Sequence, residues 1–180
     1  MRPYSVLRLS GPALAESGGI DAILALEREN LEPLLRATGQ TFPEDRRRAG
    51  LAAADRTAVL LLRGGVLAGC ADFARDWNDA ADLYVASVQL GPGARGGRAL
   101  GVLLADAFGA VGEMPWRRLT TNVHPANAPA LRLAERLGFR RIAAPGRASI
   151  GLALDRDGLR ASPFAKLAVA LAARHHPGRS

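Results

Sequence analysis

The residues best suited to chemistry lie between Val88 and Leu104, where a turn rich in glycine and arginine joins a β-prone segment to a helical one. The first backbone N–H groups of a helix have no partner inside the helix, and the helix dipole places partial positive charge there. Such an end binds phosphate, and glycines let the backbone come close to the anion. Because Arg95 and Arg98 add charge at this point, the segment predicts an anion site at the start of the helix.

Two other phosphate motifs do not fit this segment. The glycine spacing differs from the dinucleotide fingerprint and no βαβ pattern precedes it, while the Gly-Lys-Ser/Thr of a P-loop is missing. A glycine turn that only caps an amphipathic helix remains the alternative for these residues.

A second segment, residues 127–139, gives the first one a more specific meaning. Its Asn127, Ala130, Leu133, Arg136 and the pair Gly138-Phe139 stand at the spacing N-x-x-A-x-x-L-Y-x-K-x-G-F, with arginine in the lysine position. On these residues the chain resembles the GNAT superfamily of N-acetyltransferases. The first segment fits the family's loop V-x-P-x-x-R-G-x-G-x-G-x-x-L-L without a gap, through Leu90, Pro92, Arg95, Gly96, Leu103 and Leu104.

The resemblance implies an α/β (α+β) GNAT fold: a mixed, mostly antiparallel sheet of about six or seven strands flanked by helices, with a V-shaped opening between strands four and five. It implies acetyl-CoA as cosubstrate, with the pantetheine arm paired to the backbone of Val88 and Leu90. The pyrophosphate would lie on the loop and first helical turn, and Asn127 would belong to the second cofactor-binding segment. The residues expected around the pyrophosphate are Arg95, Gly96, Gly97, Arg98, Ala99 and Leu100.

The chain departs from the family at several positions that bear on catalysis. Arg98 and Leu100 replace two glycines of the loop, and Ala134 stands where many members carry a tyrosine that protonates the leaving thiolate. The fourth strand offers Ser87 near the position of a common glutamate. His124 follows the fifth strand and has a pKa suited to proton transfer, although it is also readable as a loop residue. Ser87 and His124 are therefore the predicted catalytic residues.

The order of elements agrees with this fold. We predict a strand at residues 4–9, helices at 20–35 and 42–54, and three meandering strands at 57–63, 66–74 and 82–90. A helix at 100–111, a strand at 119–123, a helix at 128–137 and strands at 139–143 and 148–154 follow. Pro33 is expected to kink or divide the first helix. A last helix is expected at 164–173, opened by Ser162 and Pro163.

Composition excludes several classes of protein. The chain has 180 residues and a net charge of +7, and of its 24 basic residues all but Lys166 are arginine. This bias is typical of a GC-rich bacterial genome, so the charge alone does not indicate a nucleic-acid partner.

The single cysteine, Cys70, excludes an intrachain disulfide and is expected to be buried. No metal-ligand spacing, signal peptide or apolar run long enough for a membrane span is present, which predicts a cytoplasmic protein without a metal.

We predict one acetyltransferase domain at residues 1–160, with residues 161–180 forming a C-terminal helix and tail on the same domain. The predicted activity is acetyl transfer to an amine of a small molecule or peptide by direct attack. A CoA-binding or regulatory protein with little transferase activity is the alternative, and an RNA-directed protein ranks last because little aromatic-basic interleaving is present. A homodimer is left open.

Overall fold

The computed structural model describes residues 4–143, 149–162 and 166. Its strands are β1 (Tyr4–Ser10), β2 (Thr57–Arg63), β3 (Val66–Arg75), β4 (Leu83–Leu90), β5 (Arg118–Val123), β6 (Arg140–Ile142) and β7 (Ile150–Asp155). Its α-helices are α1 (Gly11–Glu16), α2 (Gly19–Ala37), α3 (Glu44–Ala52), α4 (Gly97–Gly112), α5 (Ala128–Leu137) and α6 (Arg156–Ala161). A short 3-10 turn spans Pro92–Ala94.

The strands form one seven-stranded sheet in the order β1-β2-β3-β4-β5-β7-β6. The pairs β1–β2, β2–β3, β5–β7 and β6–β7 are antiparallel, whereas β4 and β5 are parallel, with Leu83 opposite Leu119 and Tyr84 opposite Thr120. This arrangement confirms the predicted mixed, mostly antiparallel α/β architecture.

The hairpin between β2 and β3 follows from its two turn residues. Gly64 and Gly65 both have positive φ, 62° and 83°, which is the combination that a two-residue type I′ turn requires. Since glycine adopts this region without a steric penalty, Gly64-Gly65 sets the pairing next to the turn, Arg63 with Val66 and Leu62 with Leu67. An irregularity between Leu61 and Leu62 then shifts the register of the rest of the two strands by one residue.

Helix α2 runs through Pro33 without interruption, so of the two expected effects of this proline, a kink or a division, the division does not occur. Pro33 is exposed, and the carbonyl group that loses its partner to the proline can therefore bond to water. The sequence patterns also failed to predict two helices of six residues, α1 and α6. Asp155 caps α6 by accepting a hydrogen bond from the Gly158 backbone at 2.6 Å.

Contacts divide the chain into two compact units. The first combines residues up to Ala74 with Ser87–Leu103, and the second combines Arg75–Ala86 with the residues from Leu104 onward. The first unit has a core of side chains from α1, α2, α3, β2 and β3: Leu14, Ile20, Ile23, Leu24, Leu26, Leu51, Ala58, Leu60 and Cys70. The buried side chains of the second unit include Leu83, Val111, Trp116, Leu119, Leu137, Leu152 and Leu154.

None of the helices within the described ranges has the length and apolar character needed to span a bilayer. The helix predicted at 164–173 lies outside the described residues, apart from Lys166, whose backbone N–H donates to the Ser162 carbonyl at 3.2 Å.

Candidate functional site

The turn between β4 and α4 in the first unit presents the start of α4 to solvent. The first helical hydrogen bond runs from the Leu100 N–H to the Gly96 carbonyl at 3.2 Å. The N–H groups of Gly97, Arg98 and Ala99 precede this bond and therefore have no acceptor within the helix. They form the positive end of a helix of 16 residues, which is the arrangement that binds an anion.

Side chains leave this helix end open. A Cβ atom built on Gly96 or Gly97 meets no atom within 4 Å, and neither glycine has a positive φ. Arg98 is exposed, Ala99 is buried and Leu100 is half-buried. These two glycines are therefore not required by the fold of the turn, and the space beside them is available to a ligand.

The backbone N–H and carbonyl groups of Val88 and Leu90 in β4 point to the edge of the strand that does not pair with β3. The Gly91 N–H donates to the Ala68 carbonyl of β3 at 2.9 Å. Because the backbone groups of successive strand residues point to alternate edges, those of Leu90 and Val88 point away from β3. This is the orientation that the predicted pairing with a pantetheine arm requires.

Asn30 of α2 connects these parts of the first unit. Its Nδ2 donates to Gln89 Oε1 at 2.9 Å and to the Leu90 carbonyl at 3.1 Å, and its Oδ1 accepts from Arg95 Nη2 at 2.9 Å. Sequence reasoning missed Asn30, since it precedes Gln89 and Arg95 by about sixty positions and belongs to no motif.

The hydroxyl of Ser87 is buried without a partner. Ser87 is 8% exposed, and its Oγ is the one buried side-chain N or O atom without a hydrogen bond among the residues that the structure describes. Ser87 shares a face of β4 with Gln89, whose side chain contacts Asn30, so its hydroxyl lies on the face toward α2. A buried, unpaired hydroxyl costs free energy and calls for an explanation.

The two predicted catalytic residues belong to different units, Ser87 to the first and His124 to the second. His124 Nδ1 accepts a hydrogen bond from the Ala126 backbone at 3.1 Å. An Nδ1 atom that accepts this bond carries no proton, so the proton of the neutral ring lies on Nε2. To act as a base through Nε2, the ring would have to give up that hydrogen bond.

Asn127 has a structural role at the start of α5. Its side-chain Oδ1 accepts from the Ala130 N–H at 3.2 Å, which makes Asn127 the N-cap of the helix. Gly138 ends the same helix in the left-handed region with φ of 93°. Ala134, at the family's tyrosine position, is buried and carries no proton donor in its side chain.

Two acidic residues, Glu27 and Asp72, lie in a buried ion network of the first unit. Arg47 Nε and Nη2 donate to Glu27 at 2.8 and 2.7 Å, and Arg47 also binds Asp72. Arg56 Nη1 donates to Asp72 Oδ1 at 3.0 Å. These carboxylates hold Arg47 in the interior. Burial acts to lower the pKa of Arg47, but the hydrogen bonds and charges of Glu27 and Asp72 outweigh it and raise that pKa.

Cys70 is fully buried, as predicted. Burial raises the pKa of its thiol well above the ordinary value, and the negative charges of Asp72 and Glu27 raise it further. The thiol is therefore unreactive in the folded protein.

The turn after β3 orders three aspartates of the second unit. Asp82 accepts from Arg117 Nε at 3.1 Å and from Arg118 Nη2 at 2.6 Å, and Asp79 accepts from Arg117 Nη2 at 2.6 Å. Asp76 is buried and accepts from Thr120. Burial acts to raise the pKa of the Asp82 carboxyl, but the hydrogen bonds from the two arginines outweigh it and lower that pKa. These pairings occupy the carboxylates that a cationic acceptor would use.

Trp77 in this turn is exposed and stands edge-on to Tyr84, with 4.6 Å between the ring centroids. Within the described ranges, no group of three His, Cys, Asp or Glu side chains could hold a metal ion.

Comparisons with known proteins agree with this fold. The model of the acetyltransferase (GNAT) family matches residues 21–139. No curated protein sequence matches the chain. The chain is similar to the crystal structure of an acetyltransferase from Thermus thermophilus, with 21% identity, a TM-score of 0.61 and coverage of 86% of this chain and 99% of that one.

Two further structures share the fold. PaiA N-acetyltransferase from Thermoplasma acidophilum, in complex with coenzyme A, has 12% identity and a TM-score of 0.62 over 85% of this chain and 99% of that one. Ribosomal-protein-alanine N-acetyltransferase from Brucella melitensis has 18% identity and a TM-score of 0.60 over 83% of this chain and 96% of that one. Since the family model covers more than half of the residues, the chain belongs to the acetyltransferase (GNAT) family.

Proposed function

We propose that the protein binds acetyl-CoA and transfers the acetyl group to an amine of a small molecule or peptide. The observation that carries this proposal is the open N-terminus of α4, where three unpaired N–H groups, the free space beside Gly96 and Gly97, and two arginines meet. Cosubstrate binding is also supported by the family and by the shared fold of PaiA N-acetyltransferase, which was crystallised with coenzyme A.

The residues of the first unit suggest how the cofactor lies. The pyrophosphate would accept hydrogen bonds from the N–H groups of Gly97, Arg98 and Ala99, with Arg98 adding positive charge. The pantetheine arm would pair with the backbone of Val88 and the Leu90 N–H, because the Leu90 carbonyl already accepts from Asn30. The N–H of Val88 is suited to polarise the thioester carbonyl.

In the proposed reaction the neutral amine attacks the carbonyl carbon of the thioester. A C–N bond forms, the tetrahedral intermediate collapses, and the C–S bond breaks to release the thiolate of CoA. The amine loses one proton and the thiolate gains one. We propose that Ser87 orients one of the reacting groups, because its buried hydroxyl has a hydrogen bond to offer and no other acceptor in the described chain.

Release of free thiol from acetyl-CoA in the presence of an amine panel tests this function. Cys70 is buried, so the native protein adds no background thiol signal. Amine-dependent thiol release that saturates with acetyl-CoA is expected. Absence of release across small amines, amino acids and peptides, with CoA still bound, would contradict catalysis.

One observation favours a second function, namely CoA binding without efficient transfer. Ala134 cannot protonate a leaving thiolate, and the side chains of β4 include no glutamate. In that case calorimetry would detect binding of CoA and acetyl-CoA, whereas thiol release would stay at the uncatalysed rate with every amine.

A further inference from the structure

We infer that Asn30 of α2 is a positioning residue for coenzyme A, which holds the Arg95 guanidinium and the end of β4 in the arrangement that receives the cofactor. This inference rests on the proposed function. Asn30 is the one side chain that the structure shows bonded both to the loop before α4 and to the backbone of β4, among the described residues.

The geometry uses both ends of the Asn30 carboxamide. The Nδ2 group donates to the Leu90 carbonyl at 3.1 Å and to Gln89 Oε1 at 2.9 Å, which fixes the last peptide group of β4. The Oδ1 atom accepts from Arg95 Nη2 at 2.9 Å. An arginine has five N–H donors, so this single bond orients the exposed guanidinium and leaves the other donors for a phosphate.

The anchor of Asn30 is itself rigid. One turn earlier on α2, Glu27 is buried and accepts two hydrogen bonds from Arg47, which also binds Asp72 of β3. Residues three apart lie on the same face of a helix. The buried ion network therefore fixes α2 relative to β3, and Asn30 on α2 holds Arg95 of the loop in a defined position.

Holding Arg95 before the ligand arrives reduces the side-chain entropy that binding would otherwise cost. A free arginine at the same place would supply charge but would have to be ordered by the cofactor. Asn30 thus acts through Arg95 and through the Leu90 peptide, without having to contact the reacting atoms.

A double-mutant cycle with Asn30→Ala and Arg95→Ala tests the inference, with Kd for CoA measured by calorimetry. Each single variant should weaken CoA binding about tenfold, as expected for a hydrogen bond to a charged group. The double variant should lose clearly less affinity for CoA than the product of the two single losses, because part of the effect of Asn30 passes through Arg95. Glu29→Ala, at an exposed position of the same helix, is the control and should bind CoA like the wild type.

Additive effects in the cycle, or an Asn30→Ala protein that binds CoA as tightly as Glu29→Ala, would overturn the inference. If Asn30→Ala does not fold, the variant Arg95→Lys tests the inference instead. Lysine keeps the positive charge but lacks the guanidinium group, which can donate to Asn30 and to a phosphate at the same time. Arg95→Lys should weaken CoA binding several-fold, and wild-type affinity would refute the positioning role. Where the protein is active, KM for acetyl-CoA should rise in Asn30→Ala with kcat unchanged. Failure of the wild type itself to bind CoA would identify failure of the proposed function, and the inference would fall with it.

Discussion

Arg98 and Ala99 are neighbours in the first turn of α4, yet Arg98 is exposed and Ala99 is 3% exposed. The buried alanine holds the helix end against the protein, and the arginine beside it stays in solvent near the unpaired N–H groups. The family's glycine at the position of Arg98 is thus replaced by a residue that the turn accommodates, and the replacement adds charge where the pyrophosphate is proposed to bind.

Replacing Arg98 by alanine should weaken CoA binding about tenfold and leave the free energy of unfolding within about 0.5 kcal/mol of the wild type, because the side chain is exposed. Calorimetry with CoA and urea unfolding measure the two effects. The dependence of Kd on salt should also become weaker, since one phosphate contact is lost. Arg36→Ala, an exposed arginine on α2, is the matched control and should change neither Kd nor its salt dependence. Equal Kd values for Arg98→Ala and Arg36→Ala would remove Arg98 from the site.

Gly96→Ala and Gly97→Ala should weaken CoA binding without lowering the free energy of unfolding. Neither glycine has a positive φ and neither Cβ would meet protein atoms, so the free energy of unfolding should stay the same or rise slightly. CoA binding should weaken at least several-fold, because the added methyl group stands between the backbone and the phosphate. Gly112→Ala, at the other end of α4 and equally open, is the control. Unchanged Kd values in both loop variants would mean that the anion does not approach this backbone.

Ser87→Ala should lower kcat without lowering stability. The wild-type hydroxyl is buried and unpaired, so its removal should leave the free energy of unfolding unchanged or raise it by up to about 1 kcal/mol. If Ser87 orients a reacting group, kcat should fall about tenfold or more. Ser162→Ala is the contrast: Ser162 Oγ donates to the Arg136 carbonyl at 2.9 Å, and its loss should destabilise the fold by about 1 kcal/mol. A destabilised Ser87→Ala protein with unchanged kcat would show that the hydroxyl has a structural role.

The stability of the protein should depend on pH through Asp82. The folded pKa of this carboxyl lies below its ordinary value of 3.8, because the hydrogen bonds from Arg117 and Arg118 outweigh the effect of burial. Its contribution is therefore complete above the unfolded pKa and is lost as the pH falls from about 3.8 through the lower folded pKa. Urea unfolding between about pH 6 and about pH 3 measures this loss. The free energy of unfolding should fall less steeply with decreasing pH in Asp82→Asn than in the wild type. Asp157→Asn, an exposed position on α6, should keep the wild-type slope. The same slope in Asp82→Asn as in the wild type would contradict the assignment.

Local signals in the sequence predicted much of the fold. Helix α5 has the predicted bounds, 128–137, because both of its ends are encoded beside it: Asn127 caps the start and Gly138 ends it with positive φ. The hairpin at Gly64-Gly65 was equally predictable. Helix α1 was not predicted because the pair Gly11-Pro12 is also typical of a turn, although proline is common in the first turn of a helix.

The parts that sequence could not predict depend on partners far apart in the chain. Glu27 and Asp72 meet Arg47 only in the fold, since they stand 20 and 25 positions from it along the chain. Asn30 meets Arg95 across 65 positions. Motif spacing did predict that Arg95, Gly96 and Gly97 stand at the start of a helix, although α4 begins at Gly97 and not at the predicted residue 100. The roles of Ser87 and His124 stay predictions, and the hydrogen bond from Ala126 to His124 Nδ1 makes Ser87 the stronger of the two.

Hydrogen–deuterium exchange with and without coenzyme A tests the central claim most directly, because it locates the ligand on the backbone. Saturating CoA should slow exchange in peptides that cover Val88–Leu90 and the start of α4 from Gly96 to Leu100, while α6 should exchange at an unchanged rate. Protection confined to other segments, or no protection at any concentration of CoA, would contradict the account.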